Sequence, residues 1–262
     1  MSTYFLLILI FILLAINILL LQKYSRYKQR YKQQGLFGKW PIRQISIEEF
    51  DSIFKTNELG PTLATEVHFI GRGSLHVPGG TSDTEAWVLS ALAKKSDQIF
   101  EFGTCTGKTT YLLAKNSPTQ ARITTITLAP DQLNSYERSA GDSKKSTDDA
   151  VAESAFINFL YSGTPEEKKI TQLFGDSKHF DEKPFAHQMN LIFVDGSHAY
   201  SYVLSDSEKA FNMVAPNGII LWHDYRGTQD TADVFKAMNL LSKNKKLVHL
   251  KDTSLIAYRA EA

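Results

Sequence analysis

The chain has 262 residues, 43% hydrophobic and 22% charged, enough apolar material for the core of one good-sized domain, which excludes a disordered chain. Its net charge of +1 conceals an asymmetry, because seven of the 29 Lys and Arg precede Glu48, the first acid, and leave 22 cations against 28 acids in the remainder. A basic neck on an acidic body excludes a nucleic-acid-binding globule, and a single cysteine, Cys105, excludes an intramolecular disulfide framework.

The run Tyr4 to Leu21, YFLLILIFILLAINILLL, is uncharged and interrupted only by Asn17; as a helix it crosses a bilayer core of about 30 Å. No positive charge precedes it and no small residues mark a cleavage site after it, which speaks against a removed signal peptide. Lys23, Arg26, Lys28, Arg30 and Lys32 follow directly, so the positive flank predicts a single-pass membrane protein with its body in the cytoplasm. Tyr24, Tyr27 and Tyr31, set among these cations, suit the headgroup layer. The expected organisation is a transmembrane helix at 1–22 and a basic juxtamembrane neck and linker at 23–81, in which ISIEEFDSIF is one amphipathic piece.

Thr81-Ser82-Asp83 signals a helix start ahead of TEAWVLSALAKK and opens the domain expected over 82–262. From there β-rich runs alternate with helical stretches. QIFEF precedes KTTYLLAKN; RITTITL precedes a polar stretch and AVAESAFINFLY; ITQLF follows; then come NLIFVD with SYVLSDSEKAFNMV, and GIILWH with DTADVFKAMNLLSKN. Strand, helix, strand in this order predicts parallel pairing with crossover helices. LVHL and SLIAY are separated only by Lys251, Asp252 and Thr253, which predicts a hairpin and at least one antiparallel strand. Nearly continuous apolar strands are those covered on both faces, so the expected fold is α/β with an open, doubly wound, mostly parallel sheet. In such sheets ligands sit beyond the carboxyl ends of the strands, near the switch point in strand order.

The first of these strands runs into Glu101-Phe-Gly103-Thr104-Cys105-Thr106-Gly107-Lys108-Thr109. Glycines at a strand-to-helix turn let the backbone pass close to a ligand, and the helix that follows offers unpaired N–H groups. A phosphate-binding P-loop needs four residues between its first Gly and the Gly-Lys pair, and here three intervene. A dinucleotide fingerprint wants a glycine where Cys105 stands. The thiol itself reads as packing in a tight turn rather than as a nucleophile.

The spacing acidic-x-Gly-x-x-x-Gly resembles the first motif of class I S-adenosylmethionine-dependent methyltransferases. Gly175-Asp176-Ser177 after ITQLF, NLIFVDGSHAYSYVLSDSEKAF and APNGIILWHDY follow at the matching distances. Together they look like the group that includes macrocin O-methyltransferase and, more distantly, cephalosporin hydroxylase, over roughly Ser82 to Tyr258. The resemblance implies a seven-stranded Rossmann-like methyltransferase sheet and S-adenosylmethionine as cofactor. It implies that the loop from Gly103 through Thr104 to Gly107 passes under the methionine end, with Glu101 fixing the loop or the cofactor's amino group, or simply capping turn amides. Asp176 and Ser177 match the adenine contact, though Gly-Asp-Ser is also good turn chemistry. Where relatives carry an acid for the ribose, Thr127 stands here; its hydroxyl bonds more weakly than a carboxylate, and Asp131 substitutes only if the Pro130 turn folds it back. The polar stretch from Asp131 to about Glu167 is either a lid over the ligand or solvated surface.

Asp195 ends NLIFVD, beside the expected cofactor, and His223-Asp224 end GIILWH; His198 follows in the Gly196-Ser197-His198 turn. In macrocin-type relatives, acids at the positions of Asp195 and Asp224 bind magnesium, and here a neighbouring acid is replaced by His223. Three readings stand: a divalent cation held by Asp195 and Asp224, with manganese or iron tolerating the imidazole better than magnesium; a metal-free general base at His198 or His223, oriented by Asp195 or Asp224; or a structural turn network. The resemblance leads to the expectation of methyl transfer from S-adenosylmethionine to an oxygen of a small-molecule, sugar or lipid-linked acceptor at the membrane. The rivals are a cofactor-binding module without activity and a same-fold enzyme with other chemistry. Neither the acceptor nor the oligomeric state is legible in the sequence.

Overall fold

The computed structural model describes residues 3–33, 41–75, 80–228 and 230–262. Lys39 and the side chains of Tyr27, Lys28, Arg30, Tyr31 and Lys32, on which part of the headgroup expectation rests, lie outside the described residues. Helix α1, Thr3–Gln33, carries the apolar run. Its stretch Leu7–Arg26, of mean hydropathy 2.3 and with none of it buried, is long and apolar enough to cross a membrane by length and composition. The amide of Asn17 donates to the Leu13 carbonyl at 2.8 Å, so the one polar side chain within the apolar run is satisfied along the helix itself.

The body is built on eight strands: β1 Gln44–Ile45, β2 Gln98–Phe102, β3 Arg122–Thr127, β4 Ile170–Phe174, β5 Met189–Val194, β6 Val214–Trp222, β7 Val248–Leu250 and β8 Ile256–Arg259. Their order across the sheet is β1-β7-β8-β6-β5-β2-β3-β4. All pairs are parallel except those of β8, which runs antiparallel to both β6 and β7 and makes the hairpin read from LVHL and SLIAY. Alternate residues of each strand enter opposite cores. Phe100, Phe102, Ile192, Val194, Ile220 and Trp222 pack on one side, and Ile99, Ile123, Leu191, Phe193 and Leu221 on the other. This two-sided burial is why the strands read as continuous apolar runs, and the strand order is that of the Rossmann-like methyltransferase fold expected from the motifs.

Helix α2, Asp83–Ala93, begins at the predicted cap: Ser82 accepts from the Glu85 N–H, and the Glu85 carboxylate accepts in return from the Ser82 N–H. Helices α3 Lys108–Asn116, α5 Tyr200–Met213 and α6 Ala232–Leu241 follow their strands as expected.

Two expectations are corrected. The segment before Ser82 is not only linker: β1 pairs with β7, and Ile42 and Phe54 are each 1% exposed, so the sheet has eight strands rather than seven and the body takes in residues from 41 onward. In the polar stretch, helix α4 is Lys144–Glu153, whereas Ser154 to Tyr161, read as helical, is not. Ser143 caps α4 by accepting from the Ser146 N–H, while Phe159 and Tyr161 turn inward against Gly107 and the Leu160 N–H bonds the Thr106 carbonyl at 2.9 Å. Tertiary burial of those aromatic rings overrides the local helical spacing.

Candidate active site

Strand β2 lies between β3 and β5, the point from which the sheet is wound in both directions, so the cleft beyond its carboxyl end is the expected ligand position. Phe102 leads there into Gly103, whose φ of +96° is left-handed and on which a Cβ would collide with the Asp195 carbonyl. Glycine is thus required by the joint between β2 and β5, not by open space for a ligand. Cys105 also holds a left-handed φ, +43°, which explains why a glycine would suit its place. Burial pushes its thiol up to about 12, so it carries no thiolate at neutral pH. Gly107, φ +74°, caps α3, and a Cβ there would lie 2.8 Å from that of Phe159.

Glu101 is placed otherwise than as a cofactor contact. It is fully buried and lines no part of the cleft; its Oε2 accepts from the hydroxyls of Thr110, on α3, and Thr125, on β3. Burial pushes its pKa up to about 8, and Oε1 has no partner, as suits a protonated acid. Thr125 in turn meets Thr104 at 2.8 Å, and Thr104 accepts from Gln172 at 3.1 Å. Glu101 and Thr104 therefore brace the loop from behind.

The cleft is lined by Gly103, Thr127, Asp176, Ser177 and Asp195 at the strand ends, and closed over by Tyr136, Tyr202 and, from α4, Ala150 and Glu153. Asp176 accepts from the Tyr202 hydroxyl at 2.8 Å and the Lys178 N–H at 2.9 Å, and Tyr202 stacks on Tyr136 with ring centroids 4.5 Å apart. Asp206, which the sequence did not single out, also faces this cleft. Burial pushes it up to about 7, and its Oδ1 is buried without a partner. Asp131 is exposed and away from the cleft, so Thr127 stands there without it. A hydroxyl, a carboxylate and an unsatisfied buried acid thus stand along one apolar slot.

Register pairs Val194 with Trp222, so Asp195 and His223 leave adjacent parallel strands side by side. His223 is buried between carboxylates: Nδ1 lies 3.0 Å from Asp195 and 3.5 Å from Asp224, and Nε2 lies 3.2 Å from Glu85. Burial opposes a charge on the ring, but Asp195 and Asp224 outweigh it and raise its pKa well above the ordinary value. Glu85 is held the other way: burial would raise it, yet His223 and the hydroxyl and N–H of Ser254, both at 2.6 Å, keep it ionised well below the usual carboxylate range. His223 thus has both ring nitrogens engaged by carboxylates, which favour its protonated form. Its place is to fix Asp195 and Asp224.

Asp224 holds a left-handed φ of +62° and faces His198, whose Nε2 lies 3.1 Å away; Arg226 Nε lies 3.1 Å from its other oxygen. Burial disfavours the charge on His198, but Asp224 wins and raises it to about 9. Asp195, His198 and Asp224 each offer one atom within 4.8 Å of the others, a set in which His198, not His223, supplies the nitrogen. Glu153 reaches toward the same group from α4. Burial, with Asp195 and Asp224 adding to it against His198, pushes Glu153 up to about 7.

A second cavity of 470 Å³ opens on the other side of these residues. It shares Gly103, Cys105, Glu153 and Asp195 with the cleft, so the two spaces meet at that point. Glu85 and Glu153 carried no functional signal in the sequence: one is part of a capping box, the other the end of a helix in a polar insertion.

Residues 100–225 match the family model described as a methyltransferase domain. The glycine turn, Thr127, Asp176, Asp195, His198, His223 and Asp224 all lie inside the matched span. No curated protein matches the chain. Among solved structures, the chain is similar to the O-methyltransferase TomG from Streptomyces achromogenes in complex with SAM, at 14% identity over 69% of this chain and 82% of that one, with a TM-score of 0.45. It is also similar to the SAH-bound methyltransferase PaMTH1 of Podospora anserina, at 15% identity over 70% and 80% with a TM-score of 0.47, and to an O-methyltransferase from Bacillus cereus in complex with SAH, at 13% identity over 71% and 84% with a TM-score of 0.47.

Proposed function

We propose that the chain is an S-adenosylmethionine-dependent O-methyltransferase of the macrocin type, acting on a small or lipid-linked acceptor at the cytoplasmic face of a membrane that α1 crosses. The observation that carries the reading is the meeting of two spaces, a cleft at the switch point and a larger cavity, at Gly103, Cys105, Glu153 and Asp195, inside a span that matches a methyltransferase domain. S-adenosylmethionine supplies an electrophilic methyl group on a sulfonium. Thr127 would hold its ribose and Asp176 with Ser177 its adenine, leaving the methionine end toward Gly103 and Asp195.

The chain's own task at the junction is to align an acceptor hydroxyl and take its proton. Glu153 suits the proton transfer, because a carboxyl poised near 7 is half ionised at neutral pH and stands where the spaces meet. His198 at about 9 and the doubly engaged His223 both hold their protons there. Two carboxylates and one imidazole within 4.8 Å also fit a divalent cation such as manganese or iron, with His198 binding as its free base. A cation on Asp195, His198 and Asp224 would hold and acidify the acceptor hydroxyl.

Titrating S-adenosylmethionine into the full-length protein by calorimetry, with detection of S-adenosylhomocysteine release over a panel of hydroxyl acceptors, tests the reading. Asp224→Asn is expected to cut turnover at least tenfold, and chelation to abolish it with recovery on added manganese if the cation is required. Absence of donor binding in the folded protein would overturn the proposal.

A further inference from the structure

The second cavity is lined by groups of both charges. Asp149, Glu153, Asp195, Asp224 and His198 are among them, with four cations, Arg72, Lys108, Lys145 and Arg226. Two of the cations are spent: Lys145 lies 2.8 Å from Asp149, and Arg226 pairs with Asp224. Arg72 and Lys108 make no ion pair among the described residues. Asp83 is close enough to feel both charges, but its two oxygens accept the N–H groups of Arg72, at 2.8 Å, and Gly73, at 3.2 Å. Those bonds pin the Arg72 backbone to the start of α2. One guanidinium nitrogen of Arg72 donates to the Gly80 carbonyl at 2.5 Å, while Nε is buried with no partner, so an edge of the fork is left unsatisfied.

Lys108 is the first residue of α3, directly behind Gly107, where a helix presents unpaired N–H groups and the positive end of its dipole. Burial and the nearby Arg72 lower its pKa, against the pull of Asp83. This is the Gly-Lys-Thr that fails as a P-loop by one residue; its lysine nevertheless faces a cavity with an arginine beside it.

We propose that Arg72 and Lys108 in this cavity bind an anionic oxyacid group of the acceptor, a phosphate ester or a carboxylate, while the acceptor hydroxyl lies by Glu153 and Asp195. The assignment of the hydroxyl rests on the methyl-transfer reading; the anion site rests on the cations alone. A guanidinium and an ammonium lining one space match such a group in charge.

The test uses the full-length protein in detergent and three probes that share a hydroxyl: glycerol 3-phosphate, glycerate and glycerol, titrated by calorimetry with and without S-adenosylhomocysteine. At least one anion is expected to bind ten times more tightly than glycerol or better. Lys108→Gln and Arg72→Gln should each reduce that affinity at least fivefold while S-adenosylhomocysteine affinity stays within twofold, because neither residue lines the donor cleft. Anions bound no better than glycerol, or anion affinity unchanged in both variants at unaltered melting temperature, would overturn the proposal. Anion discrimination without S-adenosylhomocysteine binding would sink the donor reading and leave the anion site standing; the converse result does the reverse. In nanodiscs, competition by phosphatidic acid that disappears in the double variant assigns a lipid-borne phosphate, and undiminished glycerol 3-phosphate binding assigns a soluble one.

Discussion

Replacing Glu101 by Gln isolates the buried acid behind the glycine turn. Its pKa rises from 4.5 to about 8 on folding, so between those values the folded chain keeps a proton that the unfolded chain has lost. The folded state binds more protons there, and stability falls by about 1.4 kcal/mol per pH unit; the contribution is whole below 4.5 and gone above 8. From pH 4.5 to 7 the loss amounts to roughly 3 kcal/mol. Glutamine does not titrate and still accepts from Thr110 and Thr125, but it places amide hydrogens where Oε1 has no partner, at a cost of about 1–3 kcal/mol. Glu101→Gln should therefore be less stable than the parent at pH 4.5 and equal to it or more stable at pH 7 to 8. For a body of this size the difference in Tm should swing by roughly 6–12 °C across that range. Scanning fluorimetry from pH 4.5 to 8 reads it directly, with calorimetry for the donor alongside. A Tm difference that stays flat with pH would mean that Glu101 is ionised in the fold, and loss of donor binding in a variant of normal Tm would mean that the carboxyl does reach the cleft.

Removing the imidazolium with His223→Gln leaves Glu85 and Asp195 without the cation between them and should cost about 3–5 kcal/mol by denaturant melts; an unaltered midpoint would refute the network. Since the His223 pKa is raised, its stabilisation is whole below 6.5 and fades as pH climbs through the folded value, so the parent and variant curves should converge at high pH. Thr127→Val should weaken donor binding about fivefold, the worth of one hydrogen bond, whereas Thr127→Asp should hold or improve it; equal losses in both would move the ribose elsewhere. Full-length protein should stay with membranes through an alkaline carbonate wash, and release into the wash would end the transmembrane reading of α1.

The sheet was legible because its strands carry their burial in their own composition: NLIFVD and GIILWH can lie nowhere but between two layers of helix. The Ser82 cap was legible because its hydrogen bonds close within four residues. What escaped was set by partners distant in sequence. Nothing near Gln44 announces a strand whose mate is His249, and SAFINFLY has helical spacing but spends its rings on Gly107. The site divided the same way. Asp195, His198, His223 and Asp224 stood out as polar residues at apolar strand ends, and they do converge. The division of labour among them did not, because it depends on Glu85, whose second carboxylate oxygen serves Ser254 and whose first serves both a helix cap and His223. Glu153 was unreadable for the same reason: its environment is made by Asp195 and Asp224, more than forty residues onward.

The pairing of β1 with β7 also sets a timetable for synthesis. Gln44 meets His249 across a separation of 205 residues, which at 5–20 residues per second is about 10–40 s of translation. Through that interval Ile42 and Phe54 have no finished core to enter, although the apolar helix ahead of them has long since left the ribosome. The nascent body must wait, open at one edge of its sheet, with its beginning held until its hairpin of β7 and β8 arrives. Folding of this body is therefore gated by its far end, and a chain stalled before Val248 should present that unpaired lead-in segment to chaperones and proteases rather than a smaller version of the domain.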